Sequence, residues 1–228
     1  MPAPSIILLD LDGTLTDSAP GILAGVRHAL EVVGAPQPTP EVLRGVIGPP
    51  LRDTFSTLLG LAPEQVEPAL GAYLQRYDEL GWAENAVYDG VPELLATLQG
   101  AGLRMAVATS KNERFAGRIV AHFGLAPFVE LVAGASDDGH RRAKADVVER
   151  ALRGLGVQPV PGATPGVVMV GDREHDVDGA AVWGIPTALV GWGYGGAEEH
   201  ARARWSVPDP LALAALLVPS PAGPRQRG

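Results

Sequence analysis

Unbroken apolar runs, rather than alternating ones, mark the strands of this chain. Ile6–Leu9 is four aliphatic residues that stop at Asp10, and Met105–Ser110, Phe128–Gly134, Gly166–Asp172 and Ile185–Gly191 repeat the form, short and bounded by turn residues. Between them Val91–Gly100, Glu113–Gly124 and Lys144–Gly156 have helical periodicity, each closing on a glycine suited to a left-handed cap. This alternation predicts parallel βαβ units with helices on both faces, a sheet whose ligands bind beyond the carboxyl ends of its strands. The interval from Thr16 to Asn85 has no strand-like run. Gly21–Gly34, Thr39–Gly48, Pro50–Gly60 and Glu64–Gly81 read instead as four short helices separated by Pro or Gly. An α/β chain is expected, with a core from 1–15 and 86–218 and an all-helical cap, 16–85, inserted after the first strand to sit over the strand ends. The Pro- and Gly-rich segment 219–228 is expected to be a loose tail.

Composition narrows the chemistry. The chain has 228 residues, 46% of them hydrophobic, ordinary for a globular protein. No apolar run is long enough to span a membrane, and the N-terminus reaches Asp10 too soon for a signal peptide, so a cytoplasmic location is expected. With no cysteine, disulfides, thiolate catalysis and cysteine-bound metals are excluded. A net charge of −8 without a basic stripe argues against a nucleic-acid polymer as partner. It does not distinguish monomer from homodimer. Of the 18 basic residues only Lys111 and Lys144 are lysines, which makes each a candidate for a task needing a compact ammonium.

Parallel strands would gather a distinctive polar set at one sheet edge: Asp10 and Asp12 after the first, Thr109 and Ser110 after the second, Asp172 after the fourth. Asp176 follows four residues later, and Lys144 opens the preceding helix. Several carboxylates at one edge require a cation, and hard oxygen donors without Cys or His favour Mg2+. A carboxylate can attack phosphorus as a nucleophile, and a second carboxyl two residues on can protonate the leaving oxygen and later deprotonate water. Asp10 and Asp12 suit those roles. Gly13 permits the sharp turn, whose backbone N–H groups would bind phosphate oxygens.

Those residues carry a resemblance. DLDGTLTDS, the Thr109 of AVATSK, the Lys144 of HRRAKADVVERAL and the acidic GDREHDVDGA follow in order the four motifs of the haloacid dehalogenase superfamily. The resemblance implies a Rossmann-like (HAD-like) core, and the helical insert is similar to the cap of phosphoglycolate phosphatase-like members. By position, Asp10 resembles the nucleophile and a metal ligand, and Asp12 the acid/base, its carbonyl a second ligand. Thr109 resembles the phosphate-binding hydroxyl, Lys144 the neutralising lysine, Asp172 the remaining metal ligand, and Asp176 the outer acidic position. SDDGHRRAK and GWGYGGAEEH resemble a bacterial 5′-nucleotidase-like branch. The implied activity is a Mg2+-dependent phosphomonoesterase working through an aspartyl-phosphate on a small phosphorylated metabolite, a nucleoside 5′-monophosphate or phosphoglycolate.

Simpler readings stand beside these. Asp172 and Asp176 suit a helix N-terminus, and Thr109 or Ser110 would cap a helix starting near Asn112. Ser110 is otherwise a backbone-positioned substrate contact, and Lys111 a surface residue or an outer phosphate contact. His175 is expected as an exposed helix-start residue, and Arg173 as a structural partner of Glu174 or of cap residues. Past the Gly48-Pro49-Pro50 turn, Arg52 would meet the substrate's distal group, with Arg44 second; both are otherwise solvated. Trp192 and Tyr194 would stack on a base or the cap, or simply fill a Gly-rich loop. Lys144→Ala is expected to cost turnover far more than folding. The rival functions are a β-phosphoglucomutase-like phosphomutase and a non-catalytic phosphate-binding regulator.

Overall fold

The computed structural model describes residues 4–47 and 51–218. The chain is an α/β protein that divides into two compact units, Met1–Thr16 with Val87–Gly228, and Asp17–Ala86. The expected tail, 219–228, and the Gly-Pro-Pro turn lie outside the described residues, as does the Arg44 side chain.

The first unit is built on a parallel sheet. Its strands are β1 (Ile6–Leu9), β4 (Arg104–Asn112), β5 (Val132–Ala135), β6 (Val167–Gly171), β7 (Thr187–Val190) and β8 (Trp205–Val207), in the order β5-β4-β1-β6-β7-β8. Every pair is parallel, with Leu9 level with Val107 on one side and Val170 on the other. The chain thus runs outward from β1 to β4 and β5, then returns to lay β6, β7 and β8 on the other side. That reversal at β1 is the topological switch point, where open α/β sheets form a crevice. It places Asp10, Thr109 and Asp172 at neighbouring strand ends.

Strands covered on both faces have no reason to alternate, which is why β1 and β6 are apolar throughout. One face of the core gathers Ile6, Leu8, Ala106, Met169 and Val167. It packs on Val147, Val148, Ala151 and Leu152 of α7 (Lys144–Gly154) and on Ala180 of α8 (Glu174–Ala181). Full burial of each such aliphatic side chain contributes about 1.5–3 kcal/mol.

The second unit, apart from short pairing strands at its ends, β2 (Thr16–Asp17) and β3 (Ala86–Val87), is helical among its described residues. It comprises α1 (Ala19–Val32), α2 (Pro40–Arg44), α3 (Leu51–Asp53) continued by a wide-turned segment Thr54–Leu58, and α4 (Pro63–Arg76) continued likewise through Tyr77–Gly81. Tyr73 stacks on Tyr77 at 5.6 Å, Phe55 meets the Tyr73 ring edge-on, and Arg76 forms a two-pronged pair with Glu84 at 2.7 and 2.8 Å.

Some boundaries differ from expectation. α5 (Val91–Gly100) keeps Gly100 inside the helix; the left-handed glycine is Gly102, where Leu103 N–H closes onto Leu98 O. After α6 (Glu113–His122), β5 starts at Val132 rather than Phe128, because Ala126–Phe128 winds into a 3-10 turn with Pro127 in its first turn. α9 (Ala197–His200), β8 and α10 (Pro210–Leu217) have too little periodic signal to be read from sequence.

Candidate active site

At the end of β1, Asp10 N–H still donates to Val170 O at 2.8 Å, so the backbone of the buried carboxylate is held by the neighbouring strand. The chain then turns sharply: Leu15 and Thr16 N–H both donate to Leu11 O, and Gly13 takes a φ of 80°. A Cβ on Gly13 would strike the Asp172 carboxylate and the Tyr194 ring, a second reason for glycine there. Gly13 N–H donates to Thr16 O at 2.8 Å. Gly13 thus makes the space in which Asp172 lies, with its own N–H engaged inside the turn.

Lys144, at the first position of α7, has a side chain only 2% exposed, with its Nζ 2.8 Å from Asp10 Oδ1 and 2.5 Å from Asp176 Oδ1. α8 can come close enough for this because Gly179 faces Lys144; a Cβ there would overlap the lysine stem. Burial alone lowers the Lys144 pKa, but the charges of Asp10 and Asp176 overcome it and hold the group above its ordinary value. Asp176 serves two readings at once. Its Oδ2 accepts Asp172 and Arg173 N–H at 3.1 Å each, capping α8, while Oδ1 fixes the ammonium.

Asp172, fully buried, accepts Tyr194 N–H on Oδ2 at 2.8 Å, while its Oδ1 has no hydrogen-bond partner among the described residues. Burial first, then the charge of Asp10, pushes its pKa up to about 8, against the opposing Tyr194 N–H and Arg173 charge. Asp10, Asp172 and Asp176 share one ammonium, so ionising Asp172 leaves two negative charges over, which is why the metal-free protein holds its proton up to about pH 8. An orphaned buried oxygen, hard donors and a charge deficit of two fit Mg2+. One oxygen each of Asp10 and Asp176 and a ring nitrogen of His175 also lie within 4.8 Å of one another. Asp176 is already engaged on both oxygens, so Asp10 with Asp172 is the better pair. His175 is not the exposed residue expected but half-buried, with Nε2 3.8 Å from Asp176 Oδ1.

The raised Asp172 pKa has a direct consequence for chelated protein. Below 3.8 the group is protonated whether folded or unfolded. From there to about 8 the unfolded chain ionises while the folded protein keeps its proton, so this residue's contribution to stability is lost as pH rises through that window. In chelator, Asp172→Asn should therefore melt higher than wild type at pH about 8, with the difference shrinking toward about 4. Parallel melting curves across pH would contradict this.

On β4 the ladder with β5 shifts register between Ala108 and Asn112. Irregularities of this kind re-aim side chains beside sites. Thr109 is buried with Oγ1 accepting Lys111 N–H at 3.2 Å, and Ser110 is exposed. Neither caps α6: Asn112 does, its Oδ1 accepting Arg114 and Phe115 N–H. Lys111, given no firm role by sequence, places Nζ 2.7 Å from Asp12 Oδ2. The scarcity of lysine was the one signal that pointed to it.

The core thus brings together Asp10, Asp12, Gly13, Thr109, Lys144, Asp172 and Asp176. Arg52 lies in the other unit, exposed and paired with Glu67. Trp192 uses its indole N–H on Thr14 O at 3.0 Å, and Arg173 pairs with Glu199.

A family model described as haloacid dehalogenase-like hydrolase matches residues 7–190. Tyrosine-protein kinase PtkA of Mycobacterium tuberculosis is 50% identical over 196 residues, which is 86% of this chain; the chain spans only 65% of that relative's length. A 5′-nucleotidase of Pseudomonas aeruginosa is 38% identical over 210 residues, 92% of each chain. The crystal structure of a predicted phosphatase from Clostridium acetobutylicum superposes with a TM-score of 0.84 at 34% identity, over 94% of this chain and 98% of the other.

Proposed function

The chain belongs to the haloacid dehalogenase-like hydrolase family, and from that membership and the geometry of its strand ends we propose that it is a Mg2+-dependent phosphomonoesterase. One observation carries this: Asp10 sits at the switch point with Lys144 on one oxygen and, near it, a buried Asp172 whose Oδ1 has no hydrogen-bond partner among the described residues. Asp10, Asp172 and the Asp12 carbonyl would hold the metal, which when bound supplies charge neutralisation at the phosphoryl group.

The protein's own groups account for the rest. The Asp10 carboxylate attacks phosphorus, the P–O ester bond breaks, and the Asp12 carboxyl gives its proton to the departing oxygen. Lys144 and the Thr109 hydroxyl bind the phosphoryl oxygens as their charge shifts toward the leaving group. In the second half, Asp12 takes a proton from water, the water oxygen bonds to phosphorus, and the Asp10–phosphorus bond breaks to free phosphate. Substrate choice is assigned to the helical unit, and Ser110 is a lesser contact within the core.

The relatives support the substrate class: the 5′-nucleotidase favours a nucleoside 5′-monophosphate, with phosphoglycolate next. A second reading comes from the relative named a tyrosine kinase. There the phosphoryl group would pass from a nucleoside triphosphate to Asp10, releasing the diphosphate. A tyrosine hydroxyl, losing its proton to Asp12, would then replace water. The test is phosphate release from nucleoside monophosphates, phosphoglycolate and hexose phosphates, with Mg2+ and with chelator. A parallel reaction supplies ATP and a tyrosine peptide. Release that needs Mg2+ is expected. Phosphopeptide without free phosphate would favour the kinase reading, and sugar-phosphate isomerisation a mutase.

A further inference from the structure

Outside the reacting groups, one carboxylate is bound more thoroughly than a surface residue requires. Glu199, in the last turn of α9, accepts Arg173 Nε at 2.9 Å and Glu174 N–H at 3.0 Å on Oε1, and Gly196 N–H at 2.8 Å on Oε2. Capping its own short helix explains only the third of these bonds. The other two reach 25 and 26 residues back, to the positions directly after Asp172. Burial opposes its charge, yet Arg173 and the two N–H groups hold its pKa down at about 2.

The loop so fastened, 191–196, lies against Asp172. Tyr194 N–H meets Asp172 Oδ2 at 2.8 Å, and Trp192 reaches Thr14 O in the turn after β1. A Cβ on Gly195 would overlap the Asp172 carbonyl, and one on Gly193 would overlap Asp172 Cβ and Gly13 O. The two glycines let the loop close on the carboxylate with no space between, and Glu199 is the bolt.

We propose that Glu199 is a positioning residue for the metal: by clamping loop 191–196 to the turn after β6, it fixes Tyr194 N–H on Asp172 Oδ2 and so presents Oδ1 to the cation. This rests on the Mg2+ reading above. Partners of a ligand's second atom typically alter metal affinity by about 10–100-fold when removed. In Glu199→Gln the oxygen serving Arg173 and Glu174 is kept only by turning the amide nitrogen onto Gly196 N–H, and the tie to Arg173 loses its charge, so the clamp loosens and Asp172 is held less firmly.

The test is titration of Mg2+ alone into metal-free protein by calorimetry, for wild type, Glu199→Gln and Asp172→Asn, with a melt in chelator to establish folding. Expected are binding by wild type, none by Asp172→Asn, and about tenfold weaker binding by folded Glu199→Gln. Turnover at saturating Mg2+ should stay near wild type, a split that general loosening of the fold would not produce. Should Glu199→Gln fail to fold, Arg173→Met removes the guanidinium half of the same tie, leaving Glu174 N–H on Glu199, and must still weaken Mg2+. Wild-type affinity in the folded clamp variant, with Asp172→Asn inactive in binding, overturns the clamp alone. Equal binding by wild type and Asp172→Asn overturns the metal reading, and the clamp falls with it.

Discussion

Asp10→Asn should abolish phosphate release from every ester in the panel, by about 10⁴-fold or more, while leaving the melting temperature close to that of wild type. An amide of nearly the same shape has no charge with which to attack phosphorus, so the covalent route closes outright. Losing an essential member of a catalytic set typically removes most of the rate enhancement. The fold tolerates the change because Lys144 keeps Asp176 as a counter-ion, and one of the crowded charges around Asp172 disappears. A phosphate-release assay and a melt on one preparation decide it. Residual turnover of several per cent, with the fold intact, would remove Asp10 from the nucleophile's role.

Lys144→Met should damage both turnover and folding, where the sequence alone leads one to expect Lys144→Ala to cost turnover far more than folding. The difference is burial: the ammonium lies between Asp10 and Asp176, so its loss strands two carboxylates away from water. Breaking a buried pair in this way costs about 3–5 kcal/mol. In a protein of this size each kcal/mol lowers the melting temperature by about 2–4 °C. Because the Lys144 pKa lies above 10.5, the stabilisation is complete below that value and is lost only as pH climbs through the higher folded one. It therefore adds no slope between pH 4 and 8, where Asp172 acts. The double variant Lys144→Met/Asp176→Asn separates the two effects. Stability should partly return once one stranded charge is gone, and turnover should not. If the second substitution restored turnover as well, Lys144 would be only a structural counter-ion.

These two predictions concern residues already legible in the sequence, and the reason is local. A central parallel strand is covered on both faces, so it must be apolar at every position, and any carboxylate ending such a run stands out against that burial. Ile6–Leu9 before Asp10 and Val167–Gly171 before Asp172 are the cases in point. The order of strands and helices then implies a shared sheet edge, and the lone lysine at the start of α7 completes the set.

What local periodicity cannot report is which atoms meet once strands far apart in the chain become neighbours. Lys111 finds Asp12 across 99 residues because β4 lies beside β1. Tyr194 finds Asp172 because β7 lies beside β6, and only the three-dimensional turn shows Gly13 N–H spent on Thr16. Glu199 in an acidic AEEH run looks like a solvated helix start until its oxygens are seen on Arg173 and Glu174. By itself the sequence determined the element types, the parallel α/β class and the chemical identity of the edge, since these depend on burial and periodicity along the chain. The tertiary structure alone decided the partner of each charge, the oxygen left without one and the loop that holds it in place, since those depend on contacts between strand ends that the chain order does not bring together.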